Sequence, residues 1–560
     1  MGMLLLVYMR LPVSDDLVQA DADSSKASII APALRESAMR NKDEGSATRV
    51  SKIVCRVAAA TLIASCASGE QVVSDDAGIR ADMIPFAQPS RATLQSSPKK
   101  VIAHWHQFPI SRSRGGPDRD WYSSYAKVRL RPLPRPARTS SGNVEWKIED
   151  ALADIRQARQ SGVDTFLINI YRTDMTNPWA WPVINYMLKA AARDNRGFTV
   201  APNFDCSWGG DAAQGTAMAN QYADFLASIG ESSSAYLAKI GTSFLAGTYW
   251  AQNCQAAHWT AFKARMALRG MPMHLMCVFA GGGYRAEYDT ACDSWSDWGE
   301  RSADQALNLN WRTRYAGVSG EPIAGVISHG DTRYNEKDTG HDWSTSEQRG
   351  FGTLRNTWGE VLDGGADWAH LVTWNDIGEH SHMYPNTAGQ WAFYDLNAYY
   401  IAWFKTGHRP QVTNDAIYYS HRIAQVPSGT KMRIRHLPWA NIVDVVVFLT
   451  APATVEVMTP SGTTTRNFQV GMQTFTVPLP FSGRPRFRMM RSDVPVIDFE
   501  SAFPVGPMPA VHDVTYKAGG SLRAEYGVTD PASEACESGR LSPEQCLETP
   551  GEPVWHVGTR

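Results

Sequence analysis

Apolar and polar residues alternate along this chain in two rhythms, and the change from one to the other divides it. From Val101 to Thr406, short apolar runs are separated by longer stretches whose apolar residues recur at helical spacing. Val101–His106 (VIAHWH), Val163–Tyr171 (VDTFLINIY) and Phe198–Asp205 (FTVAPNFD) read as strands of the kind buried on both faces in a parallel sheet. Lys147–Gln160 places Ile148, Ala151, Leu152, Ile155 and Ala158 on one helical face, and Gly162 ends it. The rhythm continues with expected helices at 181–195, 215–229, 255–269, 302–315, 345–363 and 389–405, and with strands at 243–250, Met273–Phe279, Ile323–Ser328 and 367–374. Seven strand–helix units are explicit and an eighth is expected within 281–311. The fold class is therefore α/β, a (β/α)8 barrel over 101–410, with a doubly wound open sheet as the alternative.

Beyond Thr406-Gly407 the period shortens. Thr430–Arg435, Ile442–Leu449, Thr454–Met458, Gln473–Val477 and Arg484–Met489 read as short strands separated by turns such as Pro460-Ser461-Gly462. They predict an all-β sandwich over 411–504 that buttresses the barrel, followed by a loop-rich tail over 505–560. At the other end, Arg49, Lys52 and Arg56 precede the apolar stretch Val57–Ala64 and then Ile63-Ala64-Ser65-Cys66. Basic segment, apolar core and small residues before a cysteine form an export signal of the bacterial lipoprotein type over 1–66. Met39 is the expected true start, Cys66 the expected lipid-bearing residue, and 67–100 a solvated tether. A signal cleaved near Ser65 or Ala67 without lipid is the alternative. Either way the protein is expected outside the cytoplasm, on the outer membrane or cell surface through a lipid anchor, or secreted.

Export bears on the cysteines. Setting Cys55 and Cys66 aside leaves Cys206, Cys254, Cys277, Cys292, Cys536 and Cys546. An even number in an exported chain permits disulfides. Cys536–Cys546 is the favoured pair because it closes a short loop in a polar tail; Cys206–Cys254 and Cys277–Cys292 are further pairings. No CxxC pair occurs, which disfavours a cysteine-built zinc site. The net charge of −2 offers no basic excess to neutralise phosphates, so a nucleic-acid partner is not expected. Nineteen tryptophans, 17 of them between Trp105 and Trp403, are compatible with indole faces that stack on sugar rings, or simply with a core filled by large aromatics.

In a barrel the chemistry gathers where strands end. Those ends carry His104, Trp105 and His106; Asn169, Tyr171 and Arg172; Asn203 and Asp205; Tyr249, Trp250 and Gln252; His329 and Asp331; and Trp374, Asn375, Asp376 and Glu379. The last group belongs to Ala366–His382 (ADWAHLVTWNDIGEHSH), in which an apolar strand delivers two carboxylates three residues apart across Gly378. One carboxylic acid and one carboxylate held apart by environment are what glycosidic cleavage requires. An Asp capping a helix with a first-turn Glu is the alternative use of the same spacing.

Thr373–Glu379 (TWNDIGE), His382 and Tyr399–Gly407 (YYIAWFKTG) resemble glycoside hydrolase family 71, the α-1,3-glucanases or mutanases. Ile102-Ala103-His104, Asp154–Ile170 and Asn203-Phe204-Asp205 are similar to that family's opening units, so the likeness spans roughly 101–407. Ile377 stands where the family has tyrosine, His380-Ser381-His382 carries an inserted residue, and Met383-Tyr384-Pro385 replaces an IGP-like segment. The resemblance implies endo-hydrolysis of α-1,3-glucan with inversion, Asp376 and Glu379 being the carboxylates. Glu379 is assigned as general acid, its pKa raised by an apolar wall of Trp374 and Ile377. Asp376 is assigned as base, held by Asn375 and His104; the sequence leaves the two roles exchangeable. Asp205 is expected to support the site, and His104, Tyr171, Trp250, Trp374, Asn375 and His382 to contact substrate. A monomer needing no cofactor or metal is expected. Two other classes remain open. One is a metal-dependent amidohydrolase using His104, His106, His329 and Asp376. The other is a lipid-anchored glycan-binding protein with an inactive barrel.

Overall fold

The computed structural model describes residues 82–106, 145–170, 180–207, 209–299, 301–302, 309–334, 343–425, 432–507, 514–523, 526–529 and 554–557. Eight parallel strands close a barrel: β1 (Val101–Trp105), β2 (Thr165–Ile170), β3 (Thr199–Asp205), β5 (Ser243–Tyr249), β6 (Met273–Phe279), β7 (Ser294–Asp297), β8 (Ile323–Ile327) and β11 (Trp368–Leu371). A two-residue strand β4 (Lys239–Ile240) pairs antiparallel with β5. Closure comes from β3 against β5, Asn203 opposite Gly247, and from β1 against β11, Ile102 opposite His370. The eighth unit falls at β7, inside the window expected for it.

Side chains alternate across each strand with period two. Ile102, Leu167, Ala201, Leu245, Met276, Ala324 and Trp368 pack together inside the barrel. Val101, Ala103, Trp105, Phe166, Ile168, Val200 and Phe204 belong to the larger core formed with the outer helices. Both faces are buried, which is why these strands read as near-continuous apolar runs. Two positions on from Ile102 and Trp368 come His104 and His370, buried as well, so the filling turns polar toward the strands' C-terminal ends.

The helices lie close to their expected places: Glu145–Ser161, Ala180–Asp194, Ala212–Ser228, Ala256–Leu268 and Ala392–Thr406. Two differ. Within 302–315 the described helix is only Trp311–Arg314, and within 345–363 it begins at Gly352. Trp343–Ser346 is instead a strand, β10, pairing with β9 (Asp331–Tyr334), with the Thr332 and Thr345 hydroxyls 2.8 Å apart across the pair. A left-handed turn at Arg349 and Gly350 then starts the helix. Gly350 has φ +66, and a Cβ there would meet the Asp444 side chain at 2.4 Å, so that turn needs glycine twice over.

Beyond the barrel, the described residues include two four-stranded antiparallel sheets. β17 (Gly471–Pro478), β14 (Ile442–Leu449), β12 (Ala416–His421) and β20 (Lys517–Gly520) form one; β16 (Gly462–Phe468), β15 (Ala453–Thr459), β18 (Arg486–Arg491) and β19 (Val494–Glu500) form the other. Val443, Val445, Val447 and Leu449 face the second sheet, whereas Val446 and Phe448 join the barrel's outer core. The apolar run of β14, interrupted only by Asp444, thus records a strand buried on both faces. Asp444, fully buried, accepts from Phe351 N at 2.8 Å and pairs with Arg355 at 2.7 Å. Arg422 pairs with Glu347 at 3.0 Å and lies between the Trp439 and Tyr516 rings. The stretch Thr430–Arg435 was expected in the sandwich, but its described part, β13 (Met432–Arg435), pairs parallel with β10 instead. Its partner lies in a barrel loop, which no local pattern specifies.

Cys206–Cys254 and Cys277–Cys292 are both disulfide-bonded, with Cα separations of 5.8 and 5.6 Å. Cys66, Cys536 and Cys546 lie outside the described residues.

Candidate active site

The loop after β11 is tied down before it offers any chemistry. Trp374 N donates to the His104 carbonyl at 2.7 Å, and Thr373 N to the Ser381 carbonyl at 2.9 Å. Thr373 Oγ1 accepts from Asp376 N at 2.8 Å, and Asp376 Oδ1 accepts from Glu379 N at 3.0 Å. The i to i+3 bond is the one a helix cap would make, but here it closes a turn rather than opening a helix, and it sets Asp376 beside Glu379. The Glu379 carbonyl in turn accepts from Thr332 N on β9 at 2.8 Å. Both carboxylates therefore have fixed backbones at the C-terminal mouth of the barrel.

Glu379 Oε2 lies 3.1 Å from Arg301 Nη2, and Oε1 lies 2.8 Å from Arg333 Nη2. Arg333 also holds Asp331 with two bonds of 2.9 and 2.8 Å, and Arg435 reaches Asp331 at 3.1 Å. Burial, then the adjacent Asp376, push the Glu379 carboxyl up to about 7 against the pull of Arg301 and Arg333. Asp331 goes the other way: burial acts to raise it, but Arg333, Arg301 and Arg435 outweigh burial and hold it below the ordinary carboxylate range. Burial and then Glu379 raise the Tyr249 hydroxyl. Opposite, His106 Nε2 lies 3.8 Å from Asp376 Oδ2. Burial lowers the His106 imidazole, with Asp376 and Asp205 pulling it back up. Burial raises the Asp205 carboxyl, which accepts from Ser207 N at 2.9 Å. The mouth thus holds Glu379 and Asp331 shifted in opposite directions by their surroundings.

Several expected contacts sit differently. Trp374 was expected as an indole wall for substrate, but its ring is buried against Phe166 and Tyr394, turned into the outer core. The raised Glu379 pKa therefore comes from burial and Asp376, not from that indole. Asn375 is fully buried: its Oδ1 accepts from His106 N at 2.6 Å and its Nδ2 donates to the His106 carbonyl at 3.3 Å. It clamps the end of β1 and so places His106, rather than His104, against Asp376. His104 packs edge-on against Trp298 at 4.7 Å inside the barrel. His382 is buried beside His329 and Tyr384, and its carbonyl accepts from His329 Nε2 at 2.6 Å. Trp250 is half-buried next to Tyr249. Tyr171 lies outside the described residues. Trp105, Trp259, Trp295, Trp311 and Trp358 are fully buried like Trp374, so much of the tryptophan content fills core.

The sequence reading missed Arg301, Arg333 and Arg435. Arg333 carried a signal, standing two residues after Asp331 and so on the same strand face. Arg301 carried none, because it follows β7, whose SWSD sequence is too polar and short to mark a strand. The amidohydrolase layout is not assembled: among the described residues the only close-set group of ligand-type side chains is Cys206, Cys254 and His258, and its two cysteines are disulfide-bonded.

A (β/α)8 barrel with a carboxylate pair at its mouth is an arrangement that glycoside hydrolases use. Residues 139–506 match the profile of glycosyl hydrolase family 71, and the chain belongs to that family. It is 24% identical over 371 residues to the glucan endo-1,3-alpha-glucosidase agn1 of Schizosaccharomyces pombe, covering 60% of this chain and 82% of that protein. Among solved structures it is similar to a GH99 endo-alpha-mannosidase from Bacteroides thetaiotaomicron (12% identity, 55% of this chain, 97% of that chain, TM-score 0.41). It is also similar to an endo-beta-1,4-mannanase from Cellulomonas fimi (11% identity, 75% and 98%, TM-score 0.32).

Proposed function

We propose that this protein cleaves α-1,3-glucan internally and inverts the anomeric centre, with Glu379 as general acid and Asp376 as general base. The observation that carries the reading is the Glu379 carboxyl, pushed up to about 7, fixed beside Asp376 at the barrel mouth. A group poised near neutrality can give its proton to the departing glycosidic oxygen. Asp376 takes a proton from water as that water attacks C1 from the opposite face. Arg301 and Arg333 are then in place to receive the new Glu379 carboxylate. The family and the named relative support α-glucan as the substrate class. Because the two arginines favour a charged Glu379, the exchanged assignment, Glu379 as base, is the second reading.

Three assays decide. Reducing sugar released from insoluble α-1,3-glucan falls by at least ~10³-fold in both Asp376→Asn and Glu379→Gln. Proton NMR of the first product shows the β-anomer before mutarotation. An α-glucosyl fluoride, whose leaving group needs no proton, separates the roles: Glu379→Gln retains turnover on it and Asp376→Asn does not. Retained glucan activity in either variant refutes the pair, and the opposite fluoride pattern exchanges the roles.

We also place the protein outside the cytoplasm, as a monomer anchored through a lipid on Cys66. Two disulfides fit an oxidising compartment. Incorporation of a fatty-acid analogue, lost in Cys66→Ala, tests the anchor.

A further inference from the structure

The ion pairs around Glu379 continue out of the barrel. We propose that Arg435 is a positioning residue for the reaction: acting through Asp331, it keeps Arg333 against Glu379, so that a strand outside the barrel helps set the protonation of the catalytic acid. This rests on the reading of Glu379 as the acid.

Strand register carries the inference. Ser346 on β10 is opposite Asp331 on β9 and opposite Arg435 on β13. Asp331, Ser346 and Arg435 thus form one row across the three-stranded sheet. Row members share a face, and the small serine in the middle lets the long arginine reach over it to Asp331, at 3.1 Å. Asp331 is 1% exposed, so its charge depends on its cations. It takes two bonds from Arg333, whose Nη2 also reaches Glu379 Oε1 at 2.8 Å. Arg333 is therefore shared between two carboxylates, and Arg435 decides the division. Without Arg435, Asp331 draws Arg333 away from Glu379 and presents more uncompensated negative charge to it. Both effects favour protonated Glu379. The other groups facing Glu379 are Asp376 on its own loop, Arg301 after β7 and Tyr249 on β5. The neighbouring His380 is occupied, its Nδ1 2.6 Å from the Thr332 carbonyl.

The test is the pH dependence of kcat on α-1,3-glucan, with thermal melts run alongside. An acid must be protonated to work, so activity is lost as pH rises through its pKa. Arg435→Gln moves that alkaline limb upward by about half a pH unit and lowers kcat more than it changes KM. Arg435→Lys restores the limb, and Asp331→Asn moves it downward. Arg435→Met, which keeps the apolar stem over Ser346, is a second charge-removing variant and gives the same upward shift if Arg435→Gln melts too early. An unmoved limb in a folded charge-removing variant overturns the proposal, as do shifts of one sign for Arg435→Gln and Asp331→Asn. Failure of the acid assignment shows separately, as glucan activity surviving in Glu379→Gln or as loss in that variant of turnover on the glucosyl fluoride.

Discussion

Replacing Glu379 by glutamine is expected to stabilise the protein at neutral pH while removing its activity. The carboxyl is raised from 4.5 to about 7 in the fold. Between those values the folded state binds a proton that the unfolded chain has released, so stability falls as pH rises through that window. At about 1.4 kcal/mol per unit, the cost of holding Glu379 charged in the fold reaches roughly 3 kcal/mol above pH 7. The side chain is 20% exposed, so most of that cost survives solvent screening. Glutamine mimics the neutral carboxyl and escapes the cost, even though Arg301 and Arg333 lose a charged partner, because the raised pKa already includes their pull. Urea unfolding of the parent and Glu379→Gln between pH 4 and 9 measures the difference. It is near zero at pH 4.5, grows through pH 7 and then levels at about 3 kcal/mol. A variant no more stable than the parent at pH 8, or a difference that shrinks as pH rises, refutes the reasoning.

Three further outcomes follow from the placement of other residues. Trp374→Ala costs on the order of 3–5 kcal/mol of stability while Trp374→Phe leaves KM for glucan unchanged, because the indole fills core rather than a subsite; a large KM increase in Trp374→Phe contradicts that. Asn375→Ala frees the end of β1 and with it His106, so kcat falls at least tenfold with a stability loss of about 1–3 kcal/mol from the unmet backbone groups; unchanged kcat refutes the clamp. Removing Cys277–Cys292 costs about 3 kcal/mol and Cys206–Cys254 about 4 kcal/mol, from loops of 15 and 48 residues. Melts of the paired Cys→Ala variants read both.

Local pattern was enough for most of the barrel, because strands buried on both faces are largely apolar and the helices between them are apolar on one side. It also pointed to the carboxylate pair, since Asp376 and Glu379 lie on one short turn whose hydrogen bonds are local. β7 went unread for the opposite reason. Its inward residues Ser294 and Ser296 are polar because they meet His274 and His370, each at 3.0 Å, and those partners come from other strands. Trp374 misled because strand-end position does not say which way a side chain turns; Phe166 and Tyr394 decide that. The strand made by Trp343–Ser346 exists only through β9 and β13, from separate parts of the chain. The same holds for the electrostatics of Glu379: Arg301, Arg333 and Arg435 converge on Glu379 and Asp331 from distant positions. Periodicity reports which face of an element is buried, and so the sequence alone determined most of the barrel and the turn bearing the acids. Charge acts through space, and so only the tertiary structure decided how those acids are held.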